Sequence, residues 1–320
     1  MKRVGFVALM LFLSGQVLAE GDFQKGISYY KQQQYEKAIA EFKQLVEANP
    51  DYENGYRILG KCYLETKNYG EAVTAFEKAL ELKKDTFVSH HGLGIAYYNK
   101  GNYREAIAAL LKAERFVRSP RDRYEVYHAR GSAYFNSGDF ERAVSDLEKA
   151  VFIKRGELVD VLELGMALYQ VKNHSGAESY LKQALALDPE SKDAQRYLAR
   201  IEFEQAVQSL EEGQYRKAAD LLNSYVRDKS EDGQAWFNLG LAHLFLEELK
   251  ASEEAFLRSE KLLPDQWEVY GRLGYIYEKM KLFDKALQNY KKAHQLHPGG
   301  ELQASVERIE ERIRRGKRVG

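Results

Sequence analysis

Residues 270–298 read YGRLGYIYEKMKLFDKALQNYKKAHQLHP. In this stretch Leu273, Gly274 and Tyr277 fall three to four residues apart, a break follows, and Ala286, Tyr290 and Ala293 resume the spacing ahead of Pro298. Such a period places the apolar residues on one face of each of two helices joined by a short turn, and the proline ends the second helix. Thirty-four residues earlier the pattern recurs as Trp236, Leu239, Gly240, Phe256 and Pro264. The stretch is therefore one unit of a repeat, and the reach of that repeat decides the fold.

Traced outward, Gly26, Gly60, Gly94, Gly131, Gly165, Gly240 and Gly274 are separated by 34, 34, 37, 34, 75 and 34 residues. The long step hides one more unit, which a second column supplies: Ala38, Ala72, Ala106, Ala143, Ala177, Ala218, Ser252 and Ala286. A third column is bulky and apolar, running Phe42, Phe76, Leu110, Leu147, Leu181, Leu222, Phe256 and Tyr290. Eight helix hairpins are thus expected. Glycine inside a helix costs about 1 kcal/mol relative to alanine, so its recurrence there marks places where helices touch closely. Pro50, Pro189, Pro264 and Pro298 end units, and Pro120 stands just past such an end.

These columns resemble the tetratricopeptide repeat over roughly residues 19 to 300, with Tyr270, Leu273, Gly274, Tyr277, Ala286, Tyr290, Ala293 and Pro298 carrying the motif. The resemblance implies an all-α fold, an α-solenoid coiled as a right-handed superhelix of about eight 34-residue helix-turn-helix repeats, whose first helices line a concave face. It looks like an exported bacterial member of that family.

Two irregularities interrupt the register. Arg121-Asp122-Arg123 are inserted after Pro120, and seven extra residues, Lys192 to Leu198, precede the sixth unit, where one long helix from Lys192 to Glu211 is expected. Beyond Pro298, Leu302, Val306, Ile309 and Ile313 recur at helical spacing among charges and predict a capping helix over 301–315. The chain then divides into a leader at 1–19, five repeats over 20–191, three over 192–300, the capping helix, and a basic tail at 316–320.

The leader is read from Lys2 and Arg3, an apolar run from Val4 to Leu13, and the small-residue site Val17-Leu18-Ala19 before Glu20. Cleavage there predicts export, with the periplasm as destination and secretion as the alternative, and no stable membrane insertion of the mature chain. Loss of Lys2 and Arg3 takes the basic count from 48 to 46 against 48 acidic residues, a net charge near −2. A balanced charge offers no field for nucleic acid, so none is expected as a partner. The single cysteine, Cys62, excludes a disulfide framework and a clustered-thiolate zinc site.

No catalytic motif is present, and neither an enzymatic activity nor a cofactor is expected. His91 and His128 occupy equivalent places on consecutive first helices, but two imidazoles are too few for a tight metal site. The informative feature is the side of the first helices opposite the glycine column, which water alone would keep polar. It carries Phe23, Ile27, Tyr30, Ile95, Tyr98, Phe135, Leu162, Met166 and Tyr169 in the first five units. Phe203, Val207, Leu210, Phe237, Leu241, Leu244, Phe245 and Tyr275 continue it, with Arg57, Lys61, His91, Asn99, His128 and Asn136 as polar members. An apolar, aromatic-rich strip of this kind predicts a concave groove for peptide segments or amphipathic helices of other proteins. The function expected is a non-catalytic scaffold in assembly of a cell-envelope complex, such as a pilus, secretion, outer-membrane biogenesis or polysaccharide export apparatus. The alternative is a module binding lipid or glycan along the same strip.

Overall fold

The computed structural model describes residues 23–83 and 86–319, with side chains to 315. The leader expected at 1–19 lies outside the described residues. Eight helix hairpins follow one another. In the first five, α1 (residues 23–31) pairs with α2 (Tyr35–Ala48), α3 (Glu53–Glu65) with α4 (Tyr69–Leu82), and α5 (Phe87–Asn99) with α6 (Tyr103–Glu114); α7 (Pro120–Ser137) pairs with α8 (Phe140–Ile153) and α9 (Leu158–Gln170) with α10 (His174–Leu187). The last three are α11 (Lys192–Glu211) with α12 (Tyr215–Asp228), α13 (Gly233–Phe245) with α14 (Leu249–Leu262), and α15 (Trp267–Lys279) with α16 (Phe283–Leu296). A final helix, α17, spans Gly300–Val319.

Every hairpin turns the same way. Two residues before each second helix stands a left-handed residue: Gln33, Lys67, Gly101, Gly138, Lys172, Gly213, Glu247 and Lys281, with φ between 59° and 82°. At Gly101 the amide donates to the Tyr98 carbonyl at 2.9 Å and the next amide, of Asn102, donates to Tyr97 at 2.9 Å. This pair of bonds satisfies carbonyls that the end of the helix leaves free and reverses the chain within three residues.

The glycine and bulky columns meet inside each hairpin. The fully buried Phe76 ring lies between Gly60 and Gly92, so close that a Cβ on Gly60 would stand 2.9 Å from its tip and one on Gly92 nearer still. At Gly94 a Cβ would fall 2.6 Å from Cγ of the fully buried Leu110. Gly94→Leu is therefore expected to destabilise the protein by ~1–3 kcal/mol through overpacking. Lys112→Leu, on the exposed side of α6, is expected to shift the denaturation midpoint far less. Equal, small shifts for the two variants would show that the packed face is misassigned.

The described residues fall into two compact units that divide between Ala194 and Gln195. The long α11 has the bounds its sequence predicts. Buried Val306 and Ile309 and half-buried Leu302 and Ile313 seat α17 on the core formed by Val269, Leu273, Ile276 and Tyr290. Pro120 stands past the end of α6 at Glu114 and opens α7 at its first turn. There its missing N–H costs nothing, and Ser119 and Asp122 close a reciprocal capping box around it. The residues expected as a basic tail, in turn, continue α17 as helix to Val319.

Candidate functional site

Within the first unit α3 packs on α5, α5 on α7 and α7 on α9, whereas the second helices make no comparable approach among the described residues. First helices that crowd together while second helices spread apart must lie on the inside of a curve. The inner face of this unit is thus built from α3, α5, α7 and α9.

A polar seam runs across it. On α7, His128 Nδ1 lies 2.6 Å from Oδ1 of Asp160 on α9, and Tyr124 stacks on the imidazole with ring centroids 5.6 Å apart. The hydrogen bond to fully buried Asp160 holds His128 above its ordinary pKa, with burial pulling the other way. One helix over, His91 stacks on Phe87 at 5.3 Å and is held below its ordinary pKa by burial, which Glu125 of α7 opposes. Ser132 Oγ donates to Glu163 Oε2 at 2.5 Å, and burial raises that carboxyl. The Asn136 amide donates to the Tyr98 hydroxyl at 3.1 Å and to the Ser132 carbonyl at 2.8 Å, tying α5 to α7.

The raised His128 fixes the sign of a pH effect. Because the folded state binds that proton more tightly than the unfolded chain, the pair's stabilisation is complete below about pH 6.5 and fades as pH rises through the folded value. Denaturation midpoints of wild type and His128→Phe are expected to lie farthest apart at mildly acidic pH and to converge above it. A gap that widens with rising pH would overturn the assignment.

The apolar residues expected on the concave face separate into open and packed groups. Ile95, Tyr98, Phe135, Leu162 and Met166 are half-buried and lie along α5, α7 and α9 beside the seam. Phe23 is clamped edge-on by Phe42 and Tyr52, each at 5.7 Å, and Ile27 and Tyr30 pack on the same core. Tyr169 and Phe237 correct the expectation. Only 9% and 8% exposed, they belong to the interior: Tyr169 stacks on His174, and Phe237 meets the buried Phe256 edge-on at 5.4 Å. In the second unit Phe203 and Leu210 lean on one core and Leu241 and Leu244 on another, with Val207 half-buried. Phe245 and Tyr275 stay 53% and 42% exposed, the former stacked on Tyr215 and the latter under Lys279.

Among the polar members, Arg57 is held by Asn54 at 2.6 Å and by Glu53. Lys61 is half-buried and without an ion pair among the described residues; burial, then the neighbouring Arg57, lowers its pKa. Asn99 is exposed and bonds back to the Ile95 carbonyl. Cys62 is fully buried, and burial pushes its thiol up to about 12, which leaves no thiolate for chemistry at neutral pH. Among the described residues no group of three or more His, Cys, Asp or Glu is arranged to hold a metal ion.

Sequence reasoning missed Asp160, Glu163, Glu125 and Ser132. A signal existed for Asp160. The places five residues before the glycine column include Gly55, Ser89, Val126, Ala235 and Val269, so a carboxylate there breaks a small or apolar column.

Family models described as tetratricopeptide repeat match residues 23–85, 162–212 and 209–266, and related models match 88–115, 124–155 and 267–299. The chain belongs to the tetratricopeptide repeat family. The type IV pilus assembly protein PilF of Pseudomonas aeruginosa is 29% identical to it over 141 residues, covering 42% of this chain and 52% of PilF. The match thus spans about half the length of that curated relative. Among solved structures, the C-terminal part of a repeat-containing protein of the same family from Cytophaga hutchinsonii aligns with a TM-score of 0.49 at 19% identity. That alignment covers 89% of this chain and 99% of the other. Pseudomonas aeruginosa pilF aligns with a TM-score of 0.48 at 18% identity, over 67% and 93% of the two chains. Proteins built of this repeat bind other proteins, and among the described residues no helix is long and apolar enough to cross a membrane.

Proposed function

We propose that this protein is a non-catalytic scaffold that works outside the cytoplasm and holds a peptide segment or amphipathic helix of a partner protein on the inner face of its first unit. The observation that carries the reading is the composition of that face: Ile95, Tyr98, Phe135, Leu162 and Met166 form an accessible apolar row. Unpaired Lys61 stands at one end, on α3, and Glu163 on α9 at the other. The apolar row suits the buried side of a helix, and opposite charges at its two ends suit one direction of entry. The likeness to a type IV pilus assembly protein favours a partner in an envelope machine of the pilus kind.

A photo-crosslinking residue at Met166, with a control at exposed Lys112, tests this in the native host. Crosslinks from Met166 to a protein, absent at the control, are expected, on a mature chain whose mass begins at Glu20. Adducts of lipid or glycan alone at Met166 would favour a small-ligand module. A chain that keeps Met1 would remove the extracytoplasmic part of the proposal.

A further inference from the structure

The side of the first unit that bears the second helices carries an apolar feature that the scaffold reading does not use. Phe152, near the end of α8, is 79% exposed, the largest exposure of any bulky apolar side chain among the described residues, and Leu187 at the end of α10 is 47% exposed. Between them opens a groove of about 620 Å³, lined among others by Val151, Phe152, Val161, Tyr180 and Leu187. A phenylalanine left in water beside an unfilled apolar groove marks a contact surface.

The charges around it indicate what fills it. Glu148 stands one helical turn before Phe152 and Arg155 three residues after it; both line the groove, both are exposed, and neither has an ion-pair partner among the described residues. A two-fold axis through the middle of such a segment sets whatever precedes the centre against whatever follows it in the other copy. Glu148 lies three residues before Val151 and Arg155 three after Phe152, so the opposite charges flank this central apolar pair evenly and are self-complementary when two copies meet antiparallel. We propose that this groove is a self-association surface, with α8 of one copy antiparallel to α8 of a second. Each Phe152 enters the groove beside Tyr180 and Leu187 of the other copy, and each Glu148 faces Arg155 across the axis. Pairing on this side leaves the inner face of the first helices open, so the inference stands independently of the scaffold proposal.

Sedimentation velocity of the full chain over ~1 to ~500 μM tests it. Wild type is expected to shift from monomer to dimer across this range, and Phe152→Glu to stay monomeric. Glu148→Arg and Arg155→Glu alone each create two like-charge contacts and are expected to weaken association at least about tenfold. Mixed in equal amounts, these two variants become complementary, one carrying only arginines at the two places and the other only glutamates, and dimer should return. All three positions are exposed, so folding is not at stake. A wild type that is monomeric throughout, including one that captures a different protein through Phe152, overturns the proposal. So does failure of the mixture to dimerise.

Discussion

Arg130→Leu is expected to destabilise the protein by about 3–5 kcal/mol, although leucine is the residue that five other repeats carry at that place. Arg130 sits immediately before Gly131, where Leu59, Leu93, Leu164, Leu239 and Leu273 stand in their own repeats, and it is only 4% exposed. Its guanidinium grips Asp146 through Nε at 2.5 Å and Nη2 at 3.2 Å and reaches Glu114 through Nη1 at 2.6 Å. Burial works against that charge, but the bonds to Asp146 and Glu114 outweigh it and raise the pKa, so the group is ionised at every accessible pH. Remove it and Asp146, 3% exposed, keeps only the mostly solvated Lys149 at 3.2 Å. A buried carboxylate without its partner is the costly outcome, whereas an apolar replacement of the whole pair is often neutral or stabilising.

The other repeats supply that replacement. Sixteen residues after Leu59, Leu93 and Leu239 stand Ala75, Ala109 and Ala255, where unit four has Asp146. All six are buried. The first unit carries a charge pair at the same two places, Lys25 and Glu41, 2.6 Å apart. In three repeats the two places thus hold a leucine with an alanine and in two a cation with an anion, whereas Leu164 and Leu273 stand sixteen residues before Tyr180 and Asn289. Arg130→Leu/Asp146→Ala is accordingly expected to recover most or all of the stability that Arg130→Leu loses. Denaturant midpoints of the single and double variants decide the matter. A single variant as stable as wild type would mean that Asp146 finds another partner or a proton.

That pair also shows where the sequence was legible. Helices, hairpins and the glycine contacts were readable because each is set by residues three to four apart or by a column repeated eight times. The hairpin turn was not, since five of its eight left-handed positions are Gln33, Lys67, Lys172, Glu247 and Lys281. Backbone bonds such as Asn68 to the Tyr63 carbonyl at 2.8 Å impose the turn there and override the preference for glycine. On the candidate site, helical spacing named the apolar residues but not which of them, like Tyr169, turn inward, and Asp160, like Arg130, was passed over. Each is a charged residue in a column that is mostly small or apolar, and its partner lies 32 or 16 residues away. Helical periodicity reports which face a residue is on. Only the packing of neighbouring repeats reports whether a charge on that face is paired.

The same distinction governs Phe237, for which Phe237→Ala is expected to cost about 3–5 kcal/mol of stability while leaving partner capture intact. By sequence Phe237 belongs with Leu241, Leu244 and Phe245 on the expected concave side of α13, away from Gly240. In the fold its ring turns onto Phe256, the fully buried residue that packs against Gly240, and joins the core with Val269 and Leu273. Truncation would open a cavity against side chains that α15 and α17 also use, so the loss should reach the seating of the capping helix. Phe245 is the control on the same helix. It is 53% exposed and stacks at 4.6 Å on Tyr215, and Phe245→Ala should melt close to wild type. Melting curves and partner capture below the variant's transition separate the roles. If Phe237→Ala melts with wild type and loses its partner, the residue is a docking contact of the second unit.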